Sequence, residues 1–134
     1  NRTLVNLDTW FWVEGVQAEA QGSSAFGLVA LAINPRLSVD PGDGTGAMSC
    51  PLVTSSSEAE RSCAHTYRRA SNRGTESVGG RPAFAVNVEV VYDLEFRING
   101  TLTTIPGAPA TLPADAADAA LRVDEIQSRV TDLG

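Results

Sequence analysis

Phe84-Ala85-Val86-Asn87-Val88-Glu89-Val90-Val91-Tyr92-Asp93-Leu94-Glu95-Phe96-Arg97-Ile98 decides the fold class. Apolar residues hold every even position, while Asn87, Glu89, Asp93, Glu95 and Arg97 hold most of the odd ones. Strand side chains alternate faces with period two, whereas helical faces repeat about every 3.6 residues. Eight matches in a row exclude a helix and predict a half-buried strand. Asn99-Gly100 follows, the favoured pair for a type I′ hairpin turn because both residues tolerate positive φ. Thr101–Ile105 is then the returning strand. Fifteen residues is long for one strand, so a bulge or bend is expected within it.

Working outward, Thr3–Glu14 is rich in β-branched and aromatic residues and reads as another strand. Alternation places Val5, Leu7, Thr9, Phe11 and Val13 toward the core and Leu4, Asn6, Asp8, Trp10 and Trp12 away from it. Phe26–Ile33 reads as a core strand stopped by Asn34-Pro35. Leu37–Val39 is a short strand that enters a tight turn at Asp40-Pro41-Gly42-Asp43-Gly44, where Gly42 and Gly44 permit positive φ. Pro51–Ser62 reads as a polar loop, Cys63–Arg69 as a strand and Ala70–Pro82 as a flexible loop. In the last segment, Ala114–Leu133, an Ala-rich start and the spacing Val123, Ile126, Val130, Leu133 favour a helix on propensity.

With 134 residues and 43% hydrophobic content, the chain suits a single domain over 1–134 with one core. Its net charge is −6, and all ten basic residues are arginine. That sign disfavours non-specific nucleic-acid binding, which needs clustered positive charge to displace counterions. It disfavours anionic membrane surfaces for the same reason. No apolar run is long enough to span a bilayer, so no membrane insertion is expected. The chain opens at Asn1, which points to a processed or trimmed product. Cys50 and Cys63 lie 13 residues apart across a Ser-rich stretch. The spacing suits a disulfide in an exported protein; the alternative is two free thiols in the cytosol. It fits no zinc pattern.

Val39-Asp40-Pro41-Gly42-Asp43-Gly44, His65-Thr66-Tyr67 and Phe84-Ala85-Val86-Asn87-Val88 together resemble the PKD domain, although Val39 and Pro41 replace its usual Trp and Phe. A wider resemblance, in order along nearly the whole chain, is to secreted actinobacterial proteins of unknown function. It rests on Leu4-Val5-Asn6-Leu7-Asp8-Thr9-Trp10-Phe11-Trp12-Val13, on the Gly42-Asp43-Gly44 turn, on Cys50 with Cys63-Ala64-His65-Thr66-Tyr67, and on Leu121-Arg122-Val123-Asp124-Glu125-Ile126-Gln127. The resemblance implies export, and it implies that Leu121–Gln127 is a closing strand rather than a helix. It implies no activity. The fold expected is an all-β, immunoglobulin-like (PKD-like) β-sandwich of about seven strands with one disulfide.

Candidate chemistry is sparse. His65 is the single histidine, so any Ser–His–Asp or Cys–His mechanism must use it. No Gly-x-Ser-x-Gly elbow is present, and a lone histidine without orienting partners reads as a strand residue that bonds a nearby loop. His65 and Tyr67 are accordingly structural candidates. Asp40 and Asp43 are candidates either for Ca²⁺ or for ordinary turn bonds; calcium needs six to eight oxygens, and the local sequence offers two carboxylates. Arg61, Arg68, Arg69, Arg73 and Arg81 cluster in the sequence, a candidate for phosphate or acidic glycan. Glu58, Glu60 and Glu76 lie among them, which gives the reading of a solvated mixed-charge loop. Trp10 and Trp12 share the face opposite Phe11. Either they point outward and contact a ligand, or the chain after Gly15 or the Pro-rich 106–113 connector covers them. The functional expectation is a non-catalytic extracellular, secreted or cell-surface module without cofactor that engages a protein partner or self-associates. The alternative is a carbohydrate-binding module that uses Trp10 and Trp12.

Overall fold

The computed structural model describes residues 2–23 and 26–125. Its axis is the alternating segment: β8 runs from Arg81 to Ile98. Phe84, Val86, Val90 and Tyr92 are buried on one face, as the period-two pattern requires. β4, Leu28–Asp40, lies antiparallel along one edge of β8, from Leu28 opposite Ile98 to Asp40 opposite Asn87. On the other edge lie β10, Thr111–Asp124, and the short β9, Thr101–Thr103. Asn99 and Gly100 make the β8–β9 turn with φ of 48° and 83°, as their residue types predict. β3, Ala20–Ser23, and β5, Met48–Pro51, share the outer edge of β4. β1, Arg2–Leu4, adds in parallel to the end of β10, and β7, Glu76–Val78, folds onto the start of β8. These strands form one eight-stranded sheet. A second, two-stranded sheet pairs β2, Asp8–Trp10, with β6, Ala64–Thr66.

The core lies between the large sheet and the layer made by β2, β6 and a short helix. Leu37, Val39, Cys50, Val90 and Tyr92 come from the large sheet; Val53, Ala59 and Cys63 come from the opposite side. A second cluster holds Tyr67, Phe84, Val86, Leu121 and Val123. Phe11 and Val88 pack against both clusters and join them. Cys50 and Cys63 form a disulfide with Cα atoms 5.3 Å apart. No helix among the described residues is long and apolar enough to cross a membrane.

The structure departs from the sequence reading at definite points. Ten strands are described rather than about seven. Thr3–Glu14 is not one strand: the chain turns at Val5–Leu7, with Asn6 at φ 64°, so β1 joins the large sheet and β2 the small one. The turn rotates Leu7 to 54% exposure instead of burying it. Phe26 is 89% exposed, not core, because it precedes the turn at Gly27 (φ 73°) rather than entering the strand. Asn34-Pro35 does not end a strand. A register shift between Ile33 and Arg36, with Asn34 at φ 53°, lets β4 continue past it; a bulge is where a strand tolerates proline. The bulge expected within the long strand therefore sits in its neighbours, in β4 and in β10 between Ala114 and Ala117.

Two stretches read as loops are ordered. Pro51–Ser62 contains α1, Ser56–Ser62. Ser55 caps it by accepting from the Glu58 amide, and Ala59 is buried beneath it. The signal was present as Ser55-x-x-Glu58 ahead of an Ala, the pattern of a capping box. Ala70–Pro82 contains β7, turned back onto β8 by Gly79-Gly80. The last segment is strand through Asp124, against its local helical propensity; Ile126, Gln127, Val130 and Leu133 lie outside the described residues.

Candidate functional site

Three groups of side chains carry the chemistry that the sequence singled out. The first surrounds the 40–44 turn. Asp40 Oδ1 accepts from the Gly42 amide at 2.9 Å, and Asp43 Oδ1 accepts from the Thr45 amide at 3.2 Å and from Thr45 Oγ1 at 2.6 Å. His65 Nε2 donates to Asp43 Oδ2 at 2.7 Å. Tyr67 Oη donates to the Pro41 carbonyl at 2.8 Å, and Arg69 Nη2 donates to the Asp43 carbonyl at 2.7 Å. The rings continue the network: His65 meets Tyr67 edge-on at 4.8 Å, Tyr67 stacks on Phe84 at 5.5 Å, and the Arg69 guanidinium lies 5.0 Å over Phe84. Gly42 lies against β8, where an added Cβ would meet the Ala85 carbonyl oxygen at 2.1 Å.

This network locks the turn onto the sheet. Asp43 is buried, which raises the pKa of its carboxyl, but hydrogen bonds from Thr45 and His65 outweigh that and hold it below the ordinary value. Burial pushes the Tyr67 phenol well above its usual range, and the Asp43 and Asp40 charges add to the shift. Asp40 and Asp43 are thus engaged in their own turn, as turn-forming Asp residues are. Among the described residues no group of three or more His, Cys, Asp or Glu could hold a metal ion. His65 bonds a nearby loop, the role expected of a strand histidine.

The second group is the tryptophan face. Phe11 and Val13 point into the core, and Trp10 and Trp12 point out, 39% and 41% exposed. Hydrogen bonds from the Phe11 amide to the Cys63 carbonyl and from the Val13 amide to the Val53 carbonyl fix this alternation beyond the end of β2. The two indoles flank a cleft of about 370 Å³ whose floor is Val86, Val88, Ala119 and Leu121 from β8 and β10. Thr9 is the one polar residue in its lining. Neither the segment after Gly15 nor the 106–113 connector lines it. Tyr92 Oη donates to the Gln17 carbonyl, and Val16 packs on the core, so that segment is held elsewhere.

The third group is basic, and the sequence outlined it only in part. Arg68, Arg69 and Arg73 line one cleft, and Arg2, Arg81 and Arg122 line another that shares Ala70, Asn72 and Glu125 with it. Arg61, counted with this cluster in the sequence, lies in the last turn of α1 and lines neither. Glu58 and Glu60 are also on α1, and Glu76 is in β7, so the acidic residues that interrupt the arginines in sequence do not line the clefts. No family model, curated protein or solved structure matches this chain.

Proposed function

We propose that this protein is a non-catalytic, extracytoplasmic interaction module that docks a protein surface, a second copy included, on the tryptophan face. The observation that carries the reading is that Trp10 and Trp12 flank an open cleft floored by aliphatic side chains. Large aromatic residues beside a desolvated apolar pocket are the usual anchors of protein interfaces. A sugar would also need hydrogen-bonding side chains around the indoles, and Thr9 alone is poorly suited to that. Beside the cleft, β10 adds a second feature: beyond β1, which covers Arg122–Asp124, no described strand pairs with its edge away from β8. An open edge offers backbone groups to an incoming strand. The finer fold reading, an immunoglobulin-like or PKD-like sandwich, is supported by the two facing sheets and the turn–His65–Tyr67 network. Export is supported by the disulfide, and kinship with secreted actinobacterial proteins rests on the motifs alone.

The test combines acrylamide quenching of tryptophan emission with sedimentation across a concentration series. Ready quenching in dilute protein, lost as self-association proceeds, together with a Trp10→Ala/Trp12→Ala variant that stays monomeric by sedimentation over the same concentrations, supports the reading. Indoles shielded in the dilute monomer would overturn it. So would retardation by a neutral polysaccharide in a native gel that Trp10→Ala abolishes, which is the behaviour of a carbohydrate-binding module.

A further inference from the structure

Six of the ten arginines converge on two adjoining clefts of about 670 and 560 Å³ in a chain whose net charge is −6. The carboxylates in their lining are Asp124 and Glu125. Asp124 is already engaged by Arg2 and Arg122. Arg69 is spent on the Asp43 carbonyl and the Phe84 ring. Arg68, Arg73 and Arg81 are exposed and have no side-chain partner among the described residues. Three guanidinium groups without partners thus line the two clefts, which share Ala70, Asn72 and the carboxylate of Glu125. Holding like charges together without partners is unfavourable, and an oxyanion relieves it, because the guanidinium fork matches phosphate and sulfate oxygens in pairs.

We infer that these clefts form one anion-binding trough that takes a short linear ligand carrying repeated phosphate or sulfate groups. The acidic remainder of the surface limits the length: a long polyanion that leaves the trough meets charge of its own sign. The trough does not depend on the tryptophan face, since the two share no lining residue.

Isothermal titration at low ionic strength with two probes, inorganic tripolyphosphate and a short dextran sulfate, tests the proposal. At least one probe binds, and the tighter one names the source of the oxyanion. Binding weakens as NaCl is raised, as displacement of charge contacts requires. Arg68→Ala/Arg73→Ala weakens it by at least about tenfold, the order expected when charge-assisted hydrogen bonds are removed. Arg61→Ala lies outside the clefts and leaves binding unchanged, which separates the trough from a general effect of net charge. Trp10→Ala also leaves it unchanged. The substituted arginines make no contact that holds the fold, so the thermal midpoints of these variants match the parent. Failure of both probes to bind, or an equal loss with Arg61→Ala, overturns the proposal.

Discussion

A methyl group on Gly42 would lie 2.1 Å from the Ala85 carbonyl oxygen, on a backbone with φ of 79°. Gly46 has a similar φ, 88°, with nothing within 4 Å. The pair separates conformational strain from collision. Gly46→Ala should cost about 1 kcal/mol, the left-handed term alone. Gly42→Ala adds a backbone clash and should cost more than about 3 kcal/mol in urea unfolding. Equal costs would mean that the turn can lift from β8. Asp43 offers a second test. Its folded pKa is lowered from 3.8, so its stabilisation is complete above the unfolded value and is lost as the pH falls through the lower, folded one. Asp43→Asn should therefore destabilise by about 1–3 kcal/mol near pH 7, and that difference should shrink below about pH 4 in chemical denaturation. A difference independent of pH would show that the carboxylate charge is not what His65 and Thr45 hold. The turn residues were legible in sequence, because Asp and Gly declare a turn locally. Their partners were not, because Asp43 and His65 are 22 residues apart.

At the scale of elements, the disulfide joins β5 to the end of α1 and encloses the helix in its loop. Seven residues are too few for a helix that stands alone. α1 is held by its Ser55 cap, by buried Ala59 and by the disulfide that follows. Reduction should cost about 3 kcal/mol, the loop-entropy scale for a closure of this length. Comparing urea midpoints with and without reductant measures it, and Cys50→Ala/Cys63→Ala should reproduce the reduced value. An unchanged midpoint would show that packing alone secures α1. β4 and β10 mark the limit of local reading. Pro35 looked like a stop, and the Ala-rich start of β10 looked helical. Each is overridden by long ladders with β8, since the pairing and packing of the tertiary structure outweigh weak intrinsic preference.

Over the whole molecule, charge and aromatic surface are sorted in a way that no window of sequence displays. Arg2, Arg68, Arg69, Arg73, Arg81 and Arg122 meet at one place, although they come from both ends and the middle of the chain. The pairing of β1 with the end of β10 sets Arg2 beside Arg122, and hydrogen bonds between Ser71 and both the Val123 backbone and the Pro82 carbonyl hold the 68–82 stretch at the same end. Trp10 and Trp12 line one cleft with Val86 and Val88 of β8 and Ala119 and Leu121 of β10, residues more than 70 positions away in the chain. By itself the sequence determined the β character of the molecule, the long central strand and its Asn99-Gly100 turn, the 40–44 turn, and the inward Phe11 and Val13 against the outward Trp10 and Trp12. These are written in period-two alternation and in residues that tolerate positive φ, both of them local properties. The tertiary structure alone decided that Thr3–Glu14 divides between two sheets, that β4 runs through its proline, that the sequence around Ser56 is helix, and that the arginines converge. Those outcomes depend on which strands pair and on what each pairing buries, and such energies belong to contacts between residues far apart in the chain.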